Sequence, residues 1–147
     1  MDGGCGCGQV RYTINAPQKP VVYACHCTDC QTQSGSAFAL HMPIFDAVLS
    51  LSGDLISGER TMPSGAVGTI FSCANCLVRI YSKNSTRPGM AIIRAGTLDN
   101  SSALVPKFHL WVSSRQGWFD IPGMALTLEQ QPESIEEWTR LLMPESA

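Results

Sequence analysis

The chain has 147 residues, with 10 Lys and Arg against 12 Asp and Glu and a formal net charge of −2. That length predicts one domain of ordinary size, and the absence of any basic excess disfavours a nucleic-acid partner. Hydrophobic residues at 44% and charged residues at 15% describe a globule with a core, and no run approaches the ~18 apolar residues of a membrane span.

The N-terminal stretch MDGGCGCGQV has neither the basic nor the apolar region of a secretory signal. A cytoplasmic, reducing location is therefore expected, where disulfides are rare. The sequon-like NST at Asn84 and NSS at Asn100 then read as loop composition. QVRYTI (9–14) alternates polar and apolar residues like a half-buried strand. PVVYACHC (20–27) predicts a strand running into a cysteine cluster. AFALHM (37–42), GTIFSC (68–73), VRIYS (78–82), MAIIRAG (90–96) and FHLWVSS (108–114) are further strand candidates, with MAIIRAG expected in the core rather than at a pairing edge. Gly53, Gly58, Pro63, Gly65, Pro88 and Gly89 punctuate the gaps. One helix is predicted over about 134–143: Ser134 is its N-cap and Glu137 completes a capping box. Its stripe of Ile135, Trp138, Leu141 and Leu142 is expected to dock on the core. No repeat or linker divides the chain, so residues 1–147 are expected to form one mostly antiparallel β domain with a short C-terminal helix.

Seven cysteines fall in three clusters: Cys5 and Cys7; Cys25, Cys27 and Cys30; Cys73 and Cys76. Residues two apart on a strand share a face, so Cys5 with Cys7, and Cys25 with Cys27, are expected to act as pairs of jaws. Cys27-x-x-Cys30 and Cys73-x-x-Cys76 have the spacing at which a tight turn aims two sulfurs at one zinc ion. Glycines around Cys5 and Cys7 allow close backbone approach. Isolated cysteines are usually small buried hydrophobes, but seven in three tight clusters are not isolated. A redox C-x-x-C lacks the surrounding βαβ pattern, and the H-x-E of a base deaminase is absent because Cys27 and Thr28 follow His26.

Seven thiols suit two zinc ions, one closed by four ligands and one left open. Since one short segment supplies Cys25, Cys27 and Cys30, these form the expected set of three, leaving Cys5, Cys7, Cys73 and Cys76 as the set of four. A rival partition joins Cys27, Cys30, Cys73 and Cys76 in a zinc ribbon across the 42 intervening residues. On a strand His26 faces away from Cys25 and Cys27, so an outer or packing role is expected for it rather than ligation. His41 and His109 lie on predicted strands and read as core or edge histidines.

The stretches GGCGCGQVRY, CHCTDCQTQSGSAF, FSCANC, AGTLD and PKFHLWVSSRQGWF run in order from Gly3 to Phe119. Through them the sequence resembles the family of glutathione-dependent formaldehyde-activating enzymes, the group that includes centromere-protein-V-type chains. The resemblance implies a mainly β, β-tent fold built around two Zn2+ per chain. It implies a structural zinc on Cys5, Cys7, Cys73 and Cys76, and an active-site zinc on Cys25, Cys27 and Cys30. The sequence departs from the family pattern at Leu77-Val78, where Gly-Thr is common after the last C-x-x-C. It departs again at Gln31 and Gln33, where basic residues often follow the third active-site cysteine and would attract an anionic ligand.

The chemistry then expected is carbon–sulfur lysis or its reverse. Three thiolates and a zinc dication leave one net negative charge, and a thiol arriving at the open position is deprotonated. The thiolate, such as that of glutathione, would attack a small aldehyde to give a hemithioacetal. Ser34, four residues after Cys30, is a candidate donor to the developing alkoxide; a turn role beside Gly35 is the alternative. Two other functions are open: a zinc-dependent lyase or isomerase of another metabolite that uses no glutathione, and a non-catalytic zinc scaffold, which the acidic end LLMPESA disfavours. The substrate is a small molecule in the leading reading, without nucleic acid or membrane, and the sequence is silent on oligomeric state.

Overall fold

The structure, a computed structural model, describes residues 1–62 and 64–143. Pro63, expected in a turn, and residues 144–147 of the acidic end lie outside the described residues. In chain order the elements are β1 (Asp2–Gly4), β2 (Arg11–Ile14), β3 (Tyr23–Cys25), α1 (Thr28–Ser34), β4 (Ala39–Phe45), β5 (Leu49–Ser52), β6 (Leu55–Thr61), β7 (Val67–Cys73), β8 (Arg79–Asn84), β9 (Met90–Arg94), β10 (Phe108–Leu110), β11 (Leu126–Thr127) and α2 (Ile135–Leu142). The fold is mainly β with two short helices. Its residues group into two compact units, the first Met1–Gln18 with Met42–Ala103 and the second Lys19–His41 with the chain from Leu104 onward.

In the first unit β2 lies between β1 and β5, antiparallel to both, and β9-β8-β7-β6 form an antiparallel run. The alternation read in QVRYTI is real over β2: Tyr12 and Ile14 are 3% and 2% exposed, while Arg11 faces solvent. Tyr12 stands opposite Gly3, where a Cβ would come within 2.6 Å of Thr97 O and closer still to the Tyr12 ring. Only glycine lets that ring lie flat against β1. The core of this unit gathers Val10, Met42, Ile80, Ala91 and Ile93, all fully buried, so MAIIRAG is a core strand. Gly58, expected between elements, lies inside β6 instead. Phe71 and Tyr81, register partners on β7 and β8, stack at 4.4 Å, a cross-strand pair that holds the two strands in register. One residue later the register slips between Phe71 and Ser72. Such a bulge re-aims the strand end, which here is Cys73.

In the second unit the strand order is β11-β10-β3-β4. β3 pairs antiparallel with β4, but β10 runs parallel to both β3 and β11. These parallel pairs join segments far apart in the chain, which local pattern does not reveal. The core is Phe108, Tyr23, Leu110, Leu141 and Cys25. Phe108 is fully buried and stacks on Tyr23 at 5.1 Å; burying such a side chain is worth roughly 1.5–3 kcal/mol.

α2 starts as predicted. Ser134 Oγ accepts from Glu137 N–H at 3.1 Å, while the Glu137 carboxylate accepts from Glu133 N–H at 3.0 Å, one residue before the cap. The helix docks through Leu141 and through Trp138, edge-on to Tyr23 at 5.7 Å. Ile135 stays 80% exposed, so the apolar stripe docks over its later turn only. α1 was not legible as a helix in CHCTDCQTQS. Its signal is a Cys27 N-cap, which sits outside the usual Ser, Thr, Asp and Asn set. Its stop is Gly35, left-handed at φ 65° with its N–H on Gln31 O.

Candidate metal centres

The first unit brings Cys5, Cys7, Cys73 and Cys76 together, with all four Sγ atoms within 4.8 Å of one another. Strand alternation is not the reason, because β1 ends at Gly4. Cys5 and Cys7 sit in a tight turn closed by Cys5 N–H to Val10 O (3.1 Å) and Gly8 N–H to Cys5 O (3.3 Å). The glycines serve that turn unequally. Gly8 is left-handed at φ 80° and a Cβ on Gly4 would run into Val10 O, whereas Gly6 has room for one. Cys5 and Cys7 Sγ are 3.4 Å apart, and Cys7 and Cys73 Sγ 3.8 Å.

Backbone donors surround these sulfurs. Val10 N–H reaches Cys5 Sγ at 3.2 Å, and Asn75 N–H reaches Cys73 Sγ at 3.4 Å. The Val10 bond, with its thiol neighbours, lowers the Cys5 pKa to about 6. Cys76 is lowered by the N–H groups of Val78 and Cys7. The CANC turn closes by Leu77 N–H to Cys73 O and Cys73 N–H to Val78 O, both 3.0 Å. Leu77 pays for it by sitting left-handed at φ 63°. The departure at Leu77-Val78 thus puts a leucine at a position whose backbone suits glycine.

The second unit brings Cys25, Cys27 and Cys30 within the same 4.8 Å of one another. Here too strand alternation is not the cause. Cys25 ends β3, Cys27 caps α1 and Cys30 lies in its first turn, so the chain bends from strand to helix around one point. Cys27 Sγ accepts from Cys30 N–H at 3.4 Å. Hydrogen bonds from the thiols of Cys25 and Cys30, followed by that N–H and the nearby His41, pull the Cys27 pKa down to about 2. Cys25 is driven the other way by the same thiol contacts with Cys27 and Cys30 and by burial. Three clustered thiols share one negative charge readily and a second poorly, unless a cation joins them. The ribbon grouping of Cys27 and Cys30 with Cys73 and Cys76 is not formed; each pair belongs to its own cluster.

His26 lies outside both donor sets. It is fully buried, packed by the rings of Phe38 and Phe119 at 5.3 and 5.6 Å, with Nε2 2.9 Å from His109 Nδ1. Burial, the neighbouring His109 and Arg115 lower its pKa to about 4, and burial lowers His109 as well. The pair is therefore neutral, with one ring donating to the other. Ser34 Oγ donates to Phe38 O at 3.1 Å and accepts from Ser36 N–H at 3.2 Å, closing the turn after α1.

The sequence did not single out Gln31 for its structural work. Its Nε2 donates to His26 O (2.7 Å) and Ser114 O (2.9 Å), and its Oε1 accepts from Gln116 Nε2 at 2.7 Å. Ser114 Oγ also donates to His26 O, at 3.0 Å. This bracket ties the Cys25–Cys30 bend to the loop after β10. That loop turns back at Trp111, left-handed at φ 57°, a strained non-glycine position of the kind concentrated at functional sites. The signal available in sequence was only the polar run SSRQ, which does not say what it bonds.

Both donor sets fit zinc. Bonds of about 2.3 Å at tetrahedral angles place sulfurs roughly 3.8 Å apart, the spacing already present between Cys7 and Cys73. Four sulfurs close a coordination sphere and three leave a position open. Fold and sites thus define a mainly β protein with two all-cysteine clusters, one of four and one of three thiols, that could each hold a metal ion.

The chain belongs to the glutathione-dependent formaldehyde-activating enzyme family, whose sequence profile matches residues 1–114. No curated protein sequence matches it significantly. Among solved structures, a Rhodobacter sphaeroides protein is similar, with a TM-score of 0.56 and 17% identity over 72% of this chain and 98% of that one. At that identity the likeness speaks for the fold.

Proposed function

We propose that the chain is a zinc-dependent carbon–sulfur lyase that joins and releases a thiol such as glutathione and a small aldehyde of the formaldehyde type. The observation that carries this reading is the convergence of Cys25, Cys27 and Cys30 into a set one ligand short of closure, in a chain of this family. The four-cysteine set would hold a structural zinc and the three-cysteine set the active one. When bound there, zinc supplies a coordination position at which an arriving thiol loses its proton.

The chain's own residues do the rest. Cys25, Cys27 and Cys30 hold the charge, the α1 N-terminus donates its Cys30 N–H to Cys27, and the Gln31 bracket fixes the bend. The sulfur lone pair attacks the aldehyde carbon, the carbonyl π electrons move to oxygen, and the thiol's proton ends on that oxygen. The product is a hemithioacetal, and the reverse reaction breaks the carbon–sulfur bond. His26 and His109, buried and neutral, pack behind the bend and supply no charge to it.

The test is exchange spectroscopy on glutathione and formaldehyde with the zinc-loaded protein. Wild type should accelerate exchange, and Cys27→Ala should return it to background with the fold intact. Exchange retained by Cys27→Ala sinks the mechanism.

Gln31 supports a second reading. Where the family often has a basic residue, this side chain is committed to His26 O, Ser114 O and Gln116 and brings no charge for an anionic thiol. A lyase or isomerase acting on a different metabolite without glutathione follows from that. Zinc-loaded protein indifferent to glutathione in native mass spectrometry would favour it.

A further inference from the structure

His41 belongs to neither donor set, yet it is placed against one of them. It lies on β4 opposite Tyr23, 6% exposed, with its ring tilted on that tyrosine at 5.3 Å. Its Nε2 is 3.4 Å from Cys30 Sγ, within reach of an N–H···S hydrogen bond. It is not among the atoms that close on Cys25 and Cys27 as well, so its place is outside the donor set and against one sulfur.

The other two thiols are served by the backbone. Cys27 N–H is directed to Cys25, and Cys30 N–H reaches Cys27 Sγ at 3.4 Å. Each donor sits a few residues further along the bend than the sulfur it serves. For Cys30, already inside α1, the backbone N–H groups that follow are turned into the helix ladder, as Gly35 N–H on Gln31 O illustrates. His41, from another strand, reaches that sulfur.

We infer that His41 is a positioning residue of the three-cysteine centre: its Nε2–H donates to Cys30 Sγ, holds that thiolate in one orientation and draws off part of its charge. The inference rests on the reading of Cys25, Cys27 and Cys30 as a metal centre. Three thiolates on one dication carry a surplus negative charge, and a donor to sulfur disperses it at a half-buried site. Partners of this kind orient metal ligands, and their loss typically costs about 10–100-fold in metal affinity.

The experiment uses cobalt(II) as the probe on the full chain, with the four-cysteine site as an internal control. In His41→Ala the affinity of the second cobalt should fall about 10–100-fold. Its sulfur-to-cobalt charge-transfer band should also move to longer wavelength, because an undonated thiolate is easier to oxidise. His41→Gln keeps an N–H near the position of Nε2 and should recover part of both. His41→Leu, of similar volume without a donor, should behave like the alanine variant and carries the test should that variant fail to fold. Wild-type affinity and band position in His41→Ala or His41→Leu would overturn the inference and leave His41 a packing residue on Tyr23. Equal impairment in His41→Gln and His41→Leu would overturn it too. A wild type that binds only one cobalt removes its foundation. None of these readouts needs thiol or aldehyde, so wild type that binds two cobalts but catalyses no exchange sinks the proposed function and leaves this inference standing.

Discussion

The four-cysteine and three-cysteine centres use the same ligand and the same few backbone devices, but they are built oppositely. In the first unit two distant turns, Cys5–Cys7 and Cys73–Cys76, bring four sulfurs together, the number that closes a zinc sphere. A metal there closes a long loop of chain, so its binding energy is folding energy. In the second unit one bend of six residues supplies all three sulfurs. A metal there would close almost no loop, and its removal is expected to cost the fold little. What holds that bend is the Gln31 bracket and the packed Phe108, Tyr23 and Leu110 beneath it. If both clusters hold zinc as proposed, loop length and ligand count assign stability to the first and reactivity to the second.

The largest expected effect breaks the closed centre. Cys73→Ala should lower the melting temperature by about 10 °C or more and make it insensitive to chelator, because the linkage between turns is lost. Cys27→Ala should move the melting temperature by no more than a few degrees while abolishing exchange. Calorimetry on both, with and without chelator, reads the contrast directly, and equal losses in the two variants would erase it.

Next is the bracket. Gln31→Ala strips one donor from each of His26 O, which keeps Ser114 Oγ, and Ser114 O; losing hydrogen bonds at these part-buried carbonyls costs about 1 kcal/mol or more. Urea unfolding gives that figure. Mass spectrometry should show weaker retention of the second metal and unchanged retention of the first. Loss of both metals together would mean that the bracket supports the whole chain and not one centre.

A change of opposite sign is expected at Leu77, left-handed and 64% exposed. Leu77→Gly should stabilise the CANC turn by about 1 kcal/mol, since glycine carries no left-handed penalty and little packing is given up. No change in unfolding free energy would mean that the leucine's strain is offset by contacts it makes in place.

The smallest effect sits at the rim of the first unit. Arg11 Nη1 donates to Asp99 Oδ1 at 2.9 Å, with the two side chains 47% and 52% exposed. The guanidinium holds the Asp99 carboxyl below the usual carboxylate range. A depressed folded pKa means the contribution is fully present above the unfolded value of about 3.9 and is lost as pH falls through the folded value. Asp99→Asn should therefore narrow its stability gap to wild type as pH drops from 7 toward 2, by a small amount at this exposure and less in high salt. A gap that stays constant with pH would assign the effect to packing.

Much of this protein is written locally. The clustered cysteines, the C-x-x-C spacings, the alternation over β2 and the Ser134–Glu137 cap each depend on residues a few positions apart, and each is where the pattern put it. Convergence of the cysteines was legible, but its cause was not: turns and a helix N-cap place the sulfurs, where strand alternation was expected. The α1 helix was hidden because cysteine is an unusual cap and a seven-residue helix carries too short an apolar period to read. The grouping of the cysteines into four and three followed from their spacing, and the structure decided it against the ribbon; only the tertiary structure decided that β10 lies parallel to β3, that Gln31 bonds Ser114, and that His41 faces Cys30. Among these pairings, the Cys30–His41 contact spans 11 positions and the Gln31–Ser114 bond spans 83, and at such separations no local rule applies. They are fixed by which buried surfaces and hydrogen-bonding groups find one another once the strands have paired.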